Sequence, residues 1–401
     1  MAVQANANTQ IVYKPETTFG VAASATAGQL LRRVSTSLAT NKDTFTSAEV
    51  RSDMQIADVR HGARSVRGNV EGELSTQSYD DWLEALMRGT WAAGVSTSPT
   101  DFATGVTVAG SGTGSTLTFS GAGNLLTKGF KVGDIVRATG LTATANNNVN
   151  LRITALTSTV MTVYPALTVQ VQQATGWTVS VPGKKLTMGT IQRSFTLEQQ
   201  LSDIAVYEQY TGVRIGGAQF AAQPNGISTV SWELMGQNGT AGSGPYFASP
   251  TAQTNTGVVS GVDGALRLNG KEQAVVTGAQ LNFTNNLSMG PVIGSTVSPN
   301  IFYGRMVCTG SVSAYLEDVS LISAFLNESE IDLVLQLEAS GTDPQDFLAF
   351  NMQRIKLNGA TKTIGADGGV IAQFPFQALL KSGGTGTAYD QSTLTIQRSN
   401  S

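Results

Sequence analysis

The chain has 401 residues, 41% of them hydrophobic and 13% charged, with a formal net charge of −3 at pH 7. That length holds two or three domains with cores of their own, and the composition excludes both a disordered chain and a protein that grips DNA by neutralising phosphates. A single cysteine, Cys308, and a single histidine, His61, exclude an intrachain disulfide and a zinc site built from Cys and His ligands. The 44 glycines, with much Thr, Ser and Val, point to strands joined by many turns. No apolar run approaches a membrane span, and the opening MAVQANANTQIVYK lacks a signal-peptide core. The expectation is a product assembled in the cytoplasm and released only by lysis.

Residues up to about 28 carry Pro and Gly breaks and read as an extended arm. Residues 30–40 read as a strand. The connector 41–63 mixes charges of both signs without a steady period, and such length inside a compact domain suggests an arm that orders on a neighbouring subunit, with a floppy surface loop as the alternative. Val66, Gly68, Val70, Gly72 and Leu74 then alternate with Arg67, Asn69, Glu71 and Glu73, predicting a strand with one wet face. A helix follows, with Ser78 as N-cap, Tyr79, Trp82, Leu83 and Leu86 as its apolar stripe, and Gly89 as the left-handed residue beyond it.

Between 96 and 183 the spacing of short apolar runs predicts strands at 106–108, 116–119, 134–137, 151–154, 160–163 and 177–180, a small all-β barrel or sandwich. After a strand at 194–198 comes a helix-like stretch over 203–210. A Gly/Ala/Thr/Ser-rich spacer, 238–261, leads to the last part of the chain, which ends in a strand over 393–397.

That last part repeats the first. Gly68, Val70 and Leu74 match Gly310, Val312 and Leu316 at an offset of 242, and a helix is predicted over 319–326 with Leu321, Ile322 and Phe325 as its stripe. Glu198 matches Glu338, and the strand containing Ile215 the one containing Ile355, at an offset of 140. One insertion of about 100 residues in the first copy explains both offsets. The expected fold is therefore mainly β: two tandem β-sandwich domains, each with a flanking helix, and an inserted small all-β domain. The boundaries are 1–95, 96–183 (inserted), 184–240, 241–261 (linker) and 262–401.

Chemistry is sparse. His61 sits in the charged connector, no G-x-S-x-G elbow is present, and the Gly-rich stretches lack phosphate-loop spacing. The acid pairs Glu71/Glu73 and Asp80/Asp81 fall on a wet strand face and at a helix start, where acids need no catalytic reason. The expectation is a protein that is not an enzyme and carries no cofactor or metal.

The order YKPETTFG, AEVRSDMQIADVRHG, GNVEGELSTQSYDDWLEALMRGTW, SFTLE and GISTVSWELMG resembles the major tail tube proteins of long-tailed, non-contractile bacteriophages. The resemblance spans about residues 10–95 and 185–240, and reaches 262–400 through the duplication. It implies β-sandwich domains that close into rings and stack as a tube in the virion tail, with one sheet continuing from neighbour to neighbour around a lumen. It implies as partners the chain itself, the tail terminator, tape-measure and distal tail proteins, and double-stranded DNA in transit. The connector would reach the adjacent ring through Glu49, Arg51, Asp53, Asp58, Arg60 and His61, and the insertion would sit outside. Duplication favours three chains per ring over six. Glu71, Glu73, Glu198, Asp332 and Glu338, on the polar phase of their strands, are the candidate lumen residues; burial in an interface or outward display is the alternative. A rival reading is a secreted or virion-surface adhesin that holds carbohydrate on β-rich domains, and a third, a β-rich hydrolase, lacks a site.

Overall fold

The computed structural model describes residues 3–399 except 112–113, 269–270, 273–274, 340–343, 366 and 384–385. The alternation over 66–74 folds as its period dictates. In the strand Val59–Glu73, Val66 and Val70 are buried while Arg67, Asn69 and Glu71 are exposed. This strand pairs on one side with Ala39–Thr46 and on the other with Thr229–Gly236. Half of the expected connector is thus a hairpin of exposed strands rather than an irregular loop.

From there one antiparallel sheet runs on without a break. Thr229–Gly236 pairs with Val206–Ala222, which pairs with Val276–Thr284, then Val307–Tyr315, then Ile371–Ala378. It ends on Thr361–Thr363 and the last residues of Phe347–Leu357. A second layer covers its apolar face. Thr9–Pro15 pairs with Phe195–Leu201, which pairs with the first half of Val206–Ala222, and Ser260–Leu268 pairs with Ile331–Glu338, which pairs with Phe347–Leu357. Val206–Ala222 and Phe347–Leu357 each pass from one layer to the other across a bulge.

The two halves share this topology strand for strand, so the chain is a tandem pair of sandwiches. The register corrects the expected offset of 140. Leu197 and Leu333 both open the regular pairing after a bulge, an offset of 136. Gln219 pairs with Ser231 as Thr361 pairs with Gln373, an offset of 142 on both strands. The difference arises between Phe195–Leu201 and Val206–Ala222 in the first repeat and between Ile331–Glu338 and Phe347–Leu357 in the second, where more residues separate the paired strands.

The helix Asp80–Met87 lies under the first repeat, with Trp82 wholly buried against Trp232 at 5.5 Å between ring centroids and against Tyr13 at 5.8 Å. Truncating such a ring costs about 4 kcal/mol. Ser78 does not cap this helix. Its hydroxyl instead accepts from Ser75 at 2.6 Å, and Tyr79 holds the N-cap position. The left-handed residue at the other end is Arg88, at φ +53°; Gly89 is required because a Cβ there would meet the Thr187 carbonyl at 2.1 Å. The helix Ser320–Leu326 forms in the second repeat, its stripe half-buried. The helix expected over 203–210 is instead a 3-10 turn, Ser202–Ile204, and the start of a long strand. The spacer is not slack either. Phe247 and Val259 are fully buried, and Asn238–Gly242 pairs with Val206–Ala222. Two apolar anchors outweighed its Gly-rich composition.

All six strands expected between 96 and 183 form, in an eight-stranded sheet around a separate core that includes Phe102, Phe119 and Trp177. This inserted unit interrupts the first repeat yet docks on the second. Gln397 exchanges two hydrogen bonds with the Ile135 backbone, each 2.8 Å, and Ile135 packs on Phe347 and Ala349.

Candidate functional site: a polar sheet face with open edges

The long sheet presents one wet face across both repeats. A single row of paired residues runs Ser35, Glu71, Ser231, Gln219, Asn282, Thr309, Gln377. Every member is polar, and Glu71, Gln219, Asn282 and Gln377 are exposed. Trp232, Phe220, Leu281, Val312 and Phe374 point the other way and are buried. Charge on this face is concentrated in the first repeat, at Arg67, Glu71, Glu73 and Glu233; the second repeat offers amides and hydroxyls such as Gln280, Ser311 and Gln373, with Lys356 beside Gln377 at its far edge.

Of the candidate lumen residues, Glu71 and Glu73 stand on this face. Glu198 does not. It is 1% exposed, and its carboxylate accepts from the Tyr246 amide at 2.5 Å, the Phe247 amide at 2.9 Å and Gln200 Nε2 at 2.8 Å. Glu338 accepts from Asn150 of the inserted unit at 3.1 Å and from Gln336 at 2.5 Å. Asp332 is half-buried in a groove with Arg152, Arg267 and Arg354. All three belong to the covering layer, whose polar phase is itself covered, by the 246–247 loop in the first repeat and by the inserted unit in the second. Glu233, exposed on the wet face, was missed, although the alternation of Thr229, Ser231 and Glu233 around Val230, Trp232 and Leu234 carries the signal.

The hairpin beyond residue 43 leaves the sheet as a free arm. Glu49, Asp58, Arg60 and His61 are exposed, and Arg51 pairs with Asp53 at 2.9 Å in solvent, where such a pair contributes little. Apolar side chains accompany them: Val50 is 100% exposed and Met54 96%. The equivalent arm of the second repeat, residues 285–306, is docked on the first. Asn285 Nδ2 donates to the carbonyls of Leu86 at 3.1 Å and Ile215 at 3.2 Å, and the Tyr303 hydroxyl to that of Arg193 at 3.2 Å.

Among the described residues, Ser35–Thr36 and the start of Ala39–Thr46 have no strand on their outer side within the long sheet, and neither has Thr361–Thr363. A wet face bounded by two open edges leaves rows of unpaired backbone groups on which another chain can pair. The comparison with known families agrees. A family model described as phage tail tube protein matches residues 6–181 and again residues 155–378, and the chain belongs to that family. It is a structural component of the virion tail. No curated relative matches it. Among the described residues no helix is long and apolar enough to cross a membrane.

Proposed function

We propose that three chains close into one ring of the tail tube, with the polar face of the long sheet turned to the lumen. The observation that carries this reading is the seam inside the chain: the first repeat joins the second by pairing Gly217–Ala222 with residues 279–284, edge to edge. Six such repeats close a ring when three chains contribute two each; six chains per ring is the alternative. Carboxylates on one half of the face repel DNA phosphates, and the other half is mostly amides and hydroxyls, with Lys356 at its edge 3.8 Å from Glu328, so the genome slides. The free arm reaches the next ring, its charged residues and Val50 and Met54 finding partners there. The inserted unit docks on the covering layer, the side away from the polar face, and so lies outside. The tail terminator, tape-measure and distal tail proteins meet the tube at its ends and within it. Changing Glu71, Glu73 and Glu233 together to Lys leaves tube formation intact and slows DNA ejection, because phosphates would then be held. Ejection at the normal rate from tubes of normal length would place this face elsewhere.

A further inference from the structure

The tandem copies allow the contact between chains to be derived from the contact within one. In the intrachain seam Gly217 pairs with Thr284, Ala218 with Phe283 and Gln219 with Asn282. Each partner has a counterpart in the other repeat. Asn282 pairs with Thr309 as Ala39 pairs with Arg67, and Ala279 with Val312 as Thr36 with Val70, an offset of 243. Gln219 corresponds to Thr361 at the offset of 142. The counterparts of the two seam strands, residues 36–41 and 359–363, are, among the described residues, the edges of the long sheet without a neighbouring strand.

A second feature marks the same junction. Beside the intrachain seam lies a groove lined on one side by Ala222, Gln223 and Pro224, and on the other by Gly261, Val262, Gly264, Ala265 and Leu266. Leu268 and Tyr13 occupy equivalent places, opposite Leu333 and Leu197, which sets their offset at 255. Subtracting 255 from the second wall gives Asn6, Ala7, Thr9, Gln10 and Ile11, and these five line a groove at the free edge of the first repeat. Its remaining lining is Leu30, Leu31, Arg33, Val34, Ala252 and Gln253, with no counterpart of Ala222, Gln223 or Pro224 among them. The counterpart of Ala222 is Ile364, which is 76% exposed at the opposite edge of the chain, whereas Ala222 is 8% exposed.

We infer that the edge 359–363 of one chain pairs antiparallel with the edge 37–41 of a second copy, in the register of the internal seam, and that Ile364 completes the second copy's half-groove. This rests on the ring reading and specifies it. Thr361 then faces Ala39, Ala360 faces Thr40 and Gly359 faces Asn41. Sequence supports the register at its tightest point, since Gly359-Ala360 repeats Gly217-Ala218. A Cβ on Gly217 would meet the Phe283 carbonyl at 2.5 Å, and the counterpart of Phe283 is Thr40 of the second copy. Within its own chain a Cβ on Gly359 would meet the edge of the Pro375 ring at 3.3 Å, a tight contact that a shift of a few tenths of an ångström relieves, and no backbone atom within 4 Å.

The test is disulfide formation in the full chain, whose native Cys308 is buried. Ala39→Cys with Thr361→Cys, oxidised after assembly, is expected to convert most of the protein into a covalent ladder that stops at three chains. The pair Ala39→Cys with Thr363→Cys, two residues out of register, is expected to give at most a tenth as much. Gly359→Val should keep the circular dichroism spectrum of the native chain and lose ring formation. Rings that crosslink only through the shifted pair, or through neither, overturn the seam and leave the ring reading standing, as do rings of Gly359→Val. Absence of any ring from the unmodified protein overturns both.

Discussion

Lys185 lies between two carboxylates, 2.5 Å from Asp134 and 2.6 Å from Asp390, where the inserted unit meets the second repeat. Burial pushes the Asp134 carboxyl up to about 6, against the pull of Lys185. The folded chain therefore holds this proton more tightly than the unfolded one. The resulting stability is fully present below about pH 4 and is lost as pH rises through about 6. Asp134→Asn should flatten the change in melting temperature between pH 4 and 7; an unchanged slope would assign it to other groups. Glu198 has a different task, satisfying two buried amides of the 246–247 loop. Glu198→Ala leaves them without an acceptor and should cost about 3 kcal/mol in urea unfolding. A loss under about 0.5 kcal/mol would mean that water replaces the carboxylate. The contrast between Glu71 and Glu198 shows what local sequence can carry. Both sit on the polar phase of an alternating strand, and alternation identifies that phase. Whether water or a distant loop covers it depends on Tyr246 and Phe247, 48 and 49 residues from Glu198, and no periodicity reports that.

At the scale of elements, the inserted unit and the free arm are separable parts. Removing residues 96–180 with a short Gly/Ser linker uncovers Phe347 and Ala349 and deprives Gln397 of its backbone partner. The expected product still forms tubes, narrower outside and melting several degrees lower, because the polar face and both edges are untouched. Loss of all assembly by a folded deletion variant would show that the unit takes part in the ring contact. Replacing residues 48–56 by a two-residue turn shortens the arm outside the sheet and should leave single rings that do not stack. Tubes of normal length from that variant would contradict an inter-ring role. The strands of the inserted unit were legible because each is short, apolar and bounded by turn residues. The stretch 203–210 misled because its apolar spacing suits a helix, while pairing with Phe195–Leu201 and Asn238–Gly242 holds it as a strand.

At the scale of the molecule, the duplication was legible from Gly68, Val70 and Leu74 against Gly310, Val312 and Leu316, because one buried strand face recurs with its glycine. The finer offset was not, since a connection lengthened in one copy leaves few side chains to mark it. The structure adds that the two copies are joined edge to edge through Gly217–Ala222 and residues 279–284, and that among the described residues the outer edge of each copy is left unpaired. The central claim is that three such chains make a pseudo-six-fold ring. Averaged end-on electron micrographs of assembled rings, with the mass of one ring measured on the same sample, test it most directly. The expected result is six similar lobes around the lumen, three-fold symmetry once the inserted units are resolved, and a mass of three chains. A strictly six-fold ring with the mass of six chains would contradict it.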